Sequence, residues 1–238
     1  MVKTAVILGI GSDIGSAIAE RLRADGWAVS RHHHDDDVGL YLLRWDLVVC
    51  CYGTLEPIGS FWEADPRAWE RAFEANLFLP VRQVRRLYPC RNPDASVCFF
   101  SGAGTSGPAP TYSAYAASKV ALVKMTELMD DESPDCKFFI LGPGIVRTKI
   151  HDQTVEAGER AANARRVSAF LESGDPGTSM DDIYACLMAC YAAPKDVIGG
   201  RNVYVPGDLW THYASTGFPA GDRDAWKLRR DSDCDFRR

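Results

Sequence analysis

Tyr115 and Lys119 stand four residues apart in the run YAASK (115–119). On a helix that spacing puts both side chains on one face, a turn apart. A phenol has an ordinary pKa near 10, and a neighbouring ammonium favours the phenolate. The pair is suited to proton transfer near neutral pH, with the phenol as general acid or base. A second run, Gly9-Ile10-Gly11-Ser12-Asp13-Ile14-Gly15, follows an apolar stretch and opens a helical pattern. Glycines allow a tight turn there and keep Cβ atoms out of a ligand's path. The free amides of a helix start suit a diphosphate, so Gly9, Gly11, Ser12, Asp13, Ile14 and Gly15 form a candidate dinucleotide cradle.

These groups need a frame. Apolar runs of strand length alternate with helical patterns, which predicts βαβ units and a mostly parallel sheet. Strands are expected over 4–9, 27–30, 46–51, 95–100, 136–141 and 202–205. Helices are expected over 14–25, 65–88, 112–131, 154–172 and 180–192. Asp65 before Pro66 is a good start for the 65–88 helix. No repeat or composition break divides the chain. The reading is an α/β fold, one doubly wound Rossmann domain over 1–238. Only about fifteen residues (31–45) separate the second and third strands, too few for a full crossover, so the sheet is expected to be shortened before Asp46. In such folds the end of the second strand selects the adenosine ribose, an acid for a 2′-hydroxyl and an arginine for a 2′-phosphate. Here Ser30 is followed by Arg31. That favours NADP(H) with Arg31 as phosphate ligand, and leaves NAD(H) open.

The chain has 238 residues, 46% hydrophobic and 25% charged, with a net charge of −5. That balance argues against nucleic-acid binding, which needs a basic face. The apolar run near the N-terminus is too short for a secretory signal, and no stretch has the roughly 20 apolar residues of a membrane span. A cytoplasmic location without membrane or nucleic-acid partners is expected. None of the eight cysteines forms a C-x-x-C pair, so they read as buried small hydrophobes. His32–34 and Asp35–37 read as a solvated loop, because consecutive side chains diverge. No metal is expected.

The chain resembles the short-chain dehydrogenases/reductases. The resemblance rests on GIGSDIG (9–15), CYG (51–53), Asn76, SGAG (101–104), YAASK (115–119) and PGIVRT (143–148), in family order and spread over 4–206. It implies an oxidoreductase that moves a hydride between a nicotinamide and a carbonyl or hydroxyl carbon. Tyr115 would be the general acid/base, and Lys119 would hold the nicotinamide ribose and lower the Tyr115 pKa. Asn76 would hold a water of a proton relay, and Ser101 would orient the substrate oxygen. Gly53, Pro143, Gly144, Val146 and Thr148 would line the cofactor site. Residues 149–180 would cover a small-molecule substrate, and 207–238 would be a C-terminal tail. A homodimer or homotetramer through the long helices is implied as well.

Three positions depart from the family pattern. Asp13 stands where a glycine is usual and is compatible with a cofactor if it turns away from the diphosphate, for instance as a helix-capping acceptor. The asparagine-alanine-glycine motif is reduced to Cys51-Tyr52-Gly53. The family serine lies thirteen residues before the tyrosine, which is Gly102 here, and the nearest upstream hydroxyl is Ser101. His151, Gln153, Glu156, Arg160, Arg165 and Arg166 make the covering segment polar, which suits a sugar, sugar phosphate or nucleotide sugar, as in carbohydrate biosynthesis. The departures motivate a second reading, a catalytically weak dinucleotide-binding sensor or partner-binding protein. An epimerase or dehydratase would also use a tyrosine–lysine pair, but with a larger C-terminal substrate domain.

Overall fold

Runs of alternating Val, Ile, Leu, Phe and Cys build the strands, and two turns of the chain reverse through glycine at positive φ, Gly9 at 90° and Gly26 at 83°. The structure is a computed structural model that describes residues 2–9, 11–33, 44–208, 210–216 and 224–229. In chain order these residues form β1 (Thr4–Leu8), α1 (Asp13–Ala24), β2 (Ala28–His32), β3 (Trp45–Cys50), α2 (Pro66–Phe73), α3 (Leu79–Leu87), β4 (Arg91–Phe100) and α4 (Ser113–Glu132). Then follow β5 (Lys137–Gly142), α5 (Ile150–Ala157), α6 (Ala164–Glu172), α7 (Met180–Ala192), α8 (Lys195–Ile198), β6 (Asn202–Tyr204) and α9 (Trp210–Thr216).

The strands form one sheet in the order β2-β1-β3-β4-β5-β6, and all five pairings are parallel. This is a single α/β domain of doubly wound type. Side chains alternate between its faces. Ala5, Ile7, Leu47, Val49, Cys98, Phe139 and Val203 pack with Ile18 and Leu22 of α1 and Ile183 and Leu187 of α7. Val6, Leu8, Val48, Val97, Phe99 and Ile140 pack with Val84 and Leu87 of α3 and Leu122 and Val123 of α4. Period-2 alternation under helices on both faces is why the strands read as unbroken apolar runs. Trp45 ties the second layer, its indole N–H donating to Leu87 O at 2.9 Å.

Several elements differ from the expectation. β2 runs two residues further, to His32, because it pairs in register with β1 up to Leu8↔His32. Among the described residues β2 is the sheet edge; the shortened crossover falls largely on 34–43, outside the described residues, as do His34 and Asp35–37. The 65–88 helix is α2 and α3 joined by a π-helical turn over Glu74–Phe78. The 154–172 helix is two, starting earlier at Ile150 and broken at Gly158, whose φ is 54°. Cys50, Cys98, Cys136, Cys186 and Cys190 are buried free thiols.

Candidate active site

The glycine loop packs on the end of β3. Gly9 N donates to His32 O at 3.0 Å, and Cys51 N donates to Leu8 O at 2.8 Å. A Cβ on Gly9 would meet the Cys51 carbonyl carbon at 3.0 Å, and one on Gly15 would meet the Cys51 Cβ at 3.2 Å. Both glycines are therefore required by close packing of loop, strand and helix. Ser12 caps α1, its hydroxyl accepting from Gly15 N at 3.3 Å. The amides of Asp13 and Ile14 precede any helical acceptor and line the cleft. This cradle fits a dinucleotide diphosphate.

Asp13 does not cap its own helix, since Ser12 fills that role. Its carboxylate instead accepts from Lys149 N at 2.8 Å, across 136 residues of sequence.

Arg31 is also placed differently. It lies inside β2, and its guanidinium donates to Ser16 Oγ on α1 at 2.8 Å. His33, one residue beyond the strand, is the residue there that lines the cleft. The described residue at the end of β2 that reaches the cleft is thus His33, two residues later than Arg31.

The cleft has a volume of about 1480 Å³. Its walls bring together Gly9, Gly11, Ser12, Asp13, Ile14, Gly53, Ser101, Tyr115, Lys119, Pro143, Gly144, Val146 and Thr148 from the sequence-based set. Gly144 has φ 74°, and a Cβ there would meet Pro206 Cγ at 2.6 Å. The 143–148 turn is therefore pinned against the second residue after β6.

Tyr115 and Lys119 rise from the first turns of α4 on one face, as their spacing requires. Tyr115 is 8% exposed, and among the described residues its hydroxyl has no hydrogen-bond partner. Burial pushes its phenol up to about 12. Lys119 is 3% exposed and donates to Phe100 O at 2.9 Å and Tyr52 O at 3.2 Å. Burial pulls its ammonium down to about 8, against the opposing pull of Cys51 and Cys50. The shift runs opposite to the lowering expected from Lys119: burial is its cause, and the ammonium is directed at two carbonyls.

Asn76 sits fully buried in the π-turn. Its Oδ1 accepts from Thr54 N at 2.9 Å, and its Nδ2 donates to Thr54 O at 3.0 Å and Ser118 Oγ at 3.1 Å. The side chain holds the loop after β3 to α4. Ser118, which also donates to Tyr115 O at 2.8 Å, was missed although it lies inside YAASK.

Ser101 turns away from the tyrosine. Its N–H pairs with Leu141 O at 2.9 Å, which aims the hydroxyl at Asn202 Oδ1, 2.9 Å away. A Cβ on Gly102 would lie 1.8 Å from the Tyr115 hydroxyl. The tyrosine oxygen occupies the space that a serine side chain at 102 would fill.

The covering segment holds itself down with its polar groups. Gln153 Oε1 accepts from Leu55 N at 2.7 Å, and Arg160 donates to Ile58 O at 3.1 Å. His151 Nε2 lies 3.0 Å from Val146 O, and burial lowers its pKa. Of the six polar residues, His151, Gln153 and Arg166 reach the cleft. Beside Tyr115 the apolar part of the wall is Leu55, Ala109, Tyr112 and Ile150. Tyr204 and Asp208 also line the cleft.

A doubly wound parallel sheet, a glycine cradle at its first crossover and a tyrosine–lysine pair on one cleft define a dinucleotide-binding protein of Rossmann type. Residues 41–159, half of the chain, match the short chain dehydrogenase family; the chain belongs to that family. It is 28% identical over 165 residues to an uncharacterized oxidoreductase of Saccharomyces cerevisiae, covering 65% of this chain and 63% of that protein. It is 27% identical over 152 residues to benzil reductase ((S)-benzoin forming) of the same yeast, covering 56% and 58%. The matches span 43% to 63% of the length of such curated relatives. Its fold matches the crystal structure of a small-chain dehydrogenase in complex with NADPH at a TM-score of 0.71, with 15% identity over 86% of this chain and 96% of that one. Among the described residues no helix is long and apolar enough to cross a membrane.

Proposed function

We propose that the protein is an NAD(P)-dependent carbonyl reductase or alcohol dehydrogenase acting on a small molecule. One observation carries this reading: the Tyr115 hydroxyl, without a hydrogen-bond partner among the described residues, and the glycine cradle open onto the same cleft. The nicotinamide cofactor, when bound, supplies or accepts the hydride. Tyr115 exchanges the proton. With its phenol raised to about 12 it is protonated at neutral pH, which suits donation to a carbonyl oxygen, the reduction direction. Lys119, fixed by two carbonyls on the turn below, offers its remaining N–H to a ribose hydroxyl. Asn76 acts from a distance by fixing Thr54 and Ser118.

Arg31 and His32 end β2 and His33 follows it, a basic run beside the ribose side of the cleft. That supports NADP(H) over NAD(H), and so does the NADPH held by the structural neighbour. The apolar wall beside Tyr115 favours a ketone with an apolar flank over a sugar. Reduction of benzil by the yeast relative is in keeping with that choice. The alternative, a catalytically weak binder, draws on Gly102 in the serine's place.

Calorimetry with NADPH and NADH, followed by turnover of diaryl and alkyl ketones, tests the proposal. Tyr115→Phe should bind cofactor as the wild type does and lose about 10²–10⁴ in kcat. Turnover that survives in Tyr115→Phe would remove the acid–base assignment; cofactor binding without any turnover would favour the binder.

A further inference from the structure

The phosphate cradle and the substrate cover are joined by one side chain. Asp13 is the first residue of α1, but Ser12 already caps that helix, which leaves the Asp13 carboxylate free to point elsewhere. Its Oδ2 accepts from Lys149 N at 2.8 Å, and its Oδ1 lies 3.8 Å from Lys149 Nζ. Lys149 is the residue before α5 and has no side-chain cap of its own. An amide at that position precedes every intrahelical acceptor, so Asp13 caps α5 from the opposite wall. A carboxylate is the favoured group there, because a helix start carries partial positive charge. The other side of α5 is fastened independently. Gln153 Oε1 holds Leu55 N at 2.7 Å, and the Thr154 hydroxyl lies 3.0 Å from that of Tyr112.

We propose that Asp13 is a positioning residue that fastens the start of the substrate cover to the phosphate cradle, so that α5 lies over the cleft with both ends of its first turns anchored. The role of the cradle rests on the dinucleotide reading above; the fastening itself does not. The acceptor oxygen is what α5 needs. The negative charge is a separate matter, since it lies on the wall where a diphosphate would bind and opposes it. Asparagine keeps the acceptor and removes the charge, whereas alanine removes both.

Amide exchange in the cofactor-free protein separates these roles. In Asp13→Ala the Lys149 amide should exchange at least about tenfold faster, the factor expected for one lost hydrogen bond. Amides of β4 should be unchanged. Asp13→Asn should stay within about threefold of the wild type, which is rescue by the acceptor alone. With a reducible ketone, Asp13→Ala should raise KM several-fold more than Asp13→Asn does. Both variants should bind NADPH at least as tightly as the wild type. Should the alanine variant not fold, Asp13→Ser, too short to reach Lys149, gives the same readout. Unchanged exchange at Lys149 in Asp13→Ala, or loss of protection in Asp13→Asn equal to that in Asp13→Ala, would overturn the proposal. A wild type that binds neither NADPH nor NADH would overturn the cradle reading and leave the exchange result to decide the fastening.

Discussion

Restoring the family serine by Gly102→Ser should damage the protein. A Cβ at 102 would lie 1.8 Å from the Tyr115 hydroxyl, 2.6 Å from Cζ and 3.1 Å from Cε1. Comfortable heavy-atom contact needs roughly 3.5 Å, so the tyrosine oxygen must retreat by about 1.5 Å or the 101–104 loop must move. The ring has little room, since Tyr115 packs among Leu55, Ile58 and Tyr112. Overpacking of this kind costs about 1–3 kcal/mol. For a chain of this length that lowers Tm by roughly 2–12 °C at about 2–4 °C per kcal/mol. A misplacement of about 1 Å in a catalytic group costs about 10² in rate, so ketone reduction should fall at least that far. Steady-state kinetics and a thermal melt on the same preparation measure both. In a Tyr115→Phe background the destabilisation should shrink but persist, because the Cζ contact remains. A Gly102→Ser variant with wild-type Tm and equal or faster turnover would refute the claim that the hydroxyl occupies the serine's place.

Two further outcomes follow from charge. Ketone reduction needs the Lys119 ammonium and the Tyr115 phenol both protonated; burial sets these at about 8 and about 12. The rate should therefore fall as pH rises through about 8, with lysine titrating first, and a profile flat to pH 10 would contradict it. On the surface of α4, Arg229 bonds both Glu127 oxygens at 2.6 and 3.0 Å, and with Lys124 it holds that carboxyl down at about 2. A depressed carboxylate stabilises the fold above its unfolded pKa, about 4.3, and the contribution is lost as pH falls through about 2. Glu127→Gln should cost no more than about 1 kcal/mol in urea unfolding at pH 6, with the difference shrinking towards pH 2 and proteolysis near 224–229 increasing. An undiminished difference at pH 2 would show that the ion pair is not its source.

What the chain discloses locally was legible. Alternation of apolar residues located the strands, and YAASK put Tyr115 and Lys119 on one helical face. The glycine loop was read from its position between strand and helix, where Gly9 takes the positive φ of a tight turn, but the close packing of Gly9 and Gly15 on Cys51 was not legible. What depends on pairing between distant segments was not legible. Arg31 looked like the end of a strand until Leu8 paired with His32 and carried β2 past it. Ser101 looked like the displaced serine until its amide paired with Leu141 and swung its hydroxyl towards Asn202. Gln153 and Arg160 were read only as making the covering segment polar, yet they bond backbone atoms of 55 and 58, about a hundred residues away. A polar side chain in a covering segment has two possible addressees, substrate or scaffold, and its neighbours in sequence do not distinguish them.

The tyrosine–lysine pair shows the same limit in electrostatics. Spacing brings the two groups together, but the sign of a pKa shift depends on how much water each loses. Both are deeply buried, so the charged form of each is disfavoured, and the two shift in the directions that burial dictates: phenol up, ammonium down. On raising pH, the lysine loses its charge before the tyrosine gains one. A phenolate–ammonium pair would need Lys119 to be held charged while Tyr115 ionises, and the carbonyls of Tyr52 and Phe100 are the only acceptors on its Nζ among the described residues. The protein alone is thus set to give up a proton from Tyr115. Its capacity to take one, as alcohol oxidation would require, depends on further groups that contact Lys119 or the phenol once the cleft is filled.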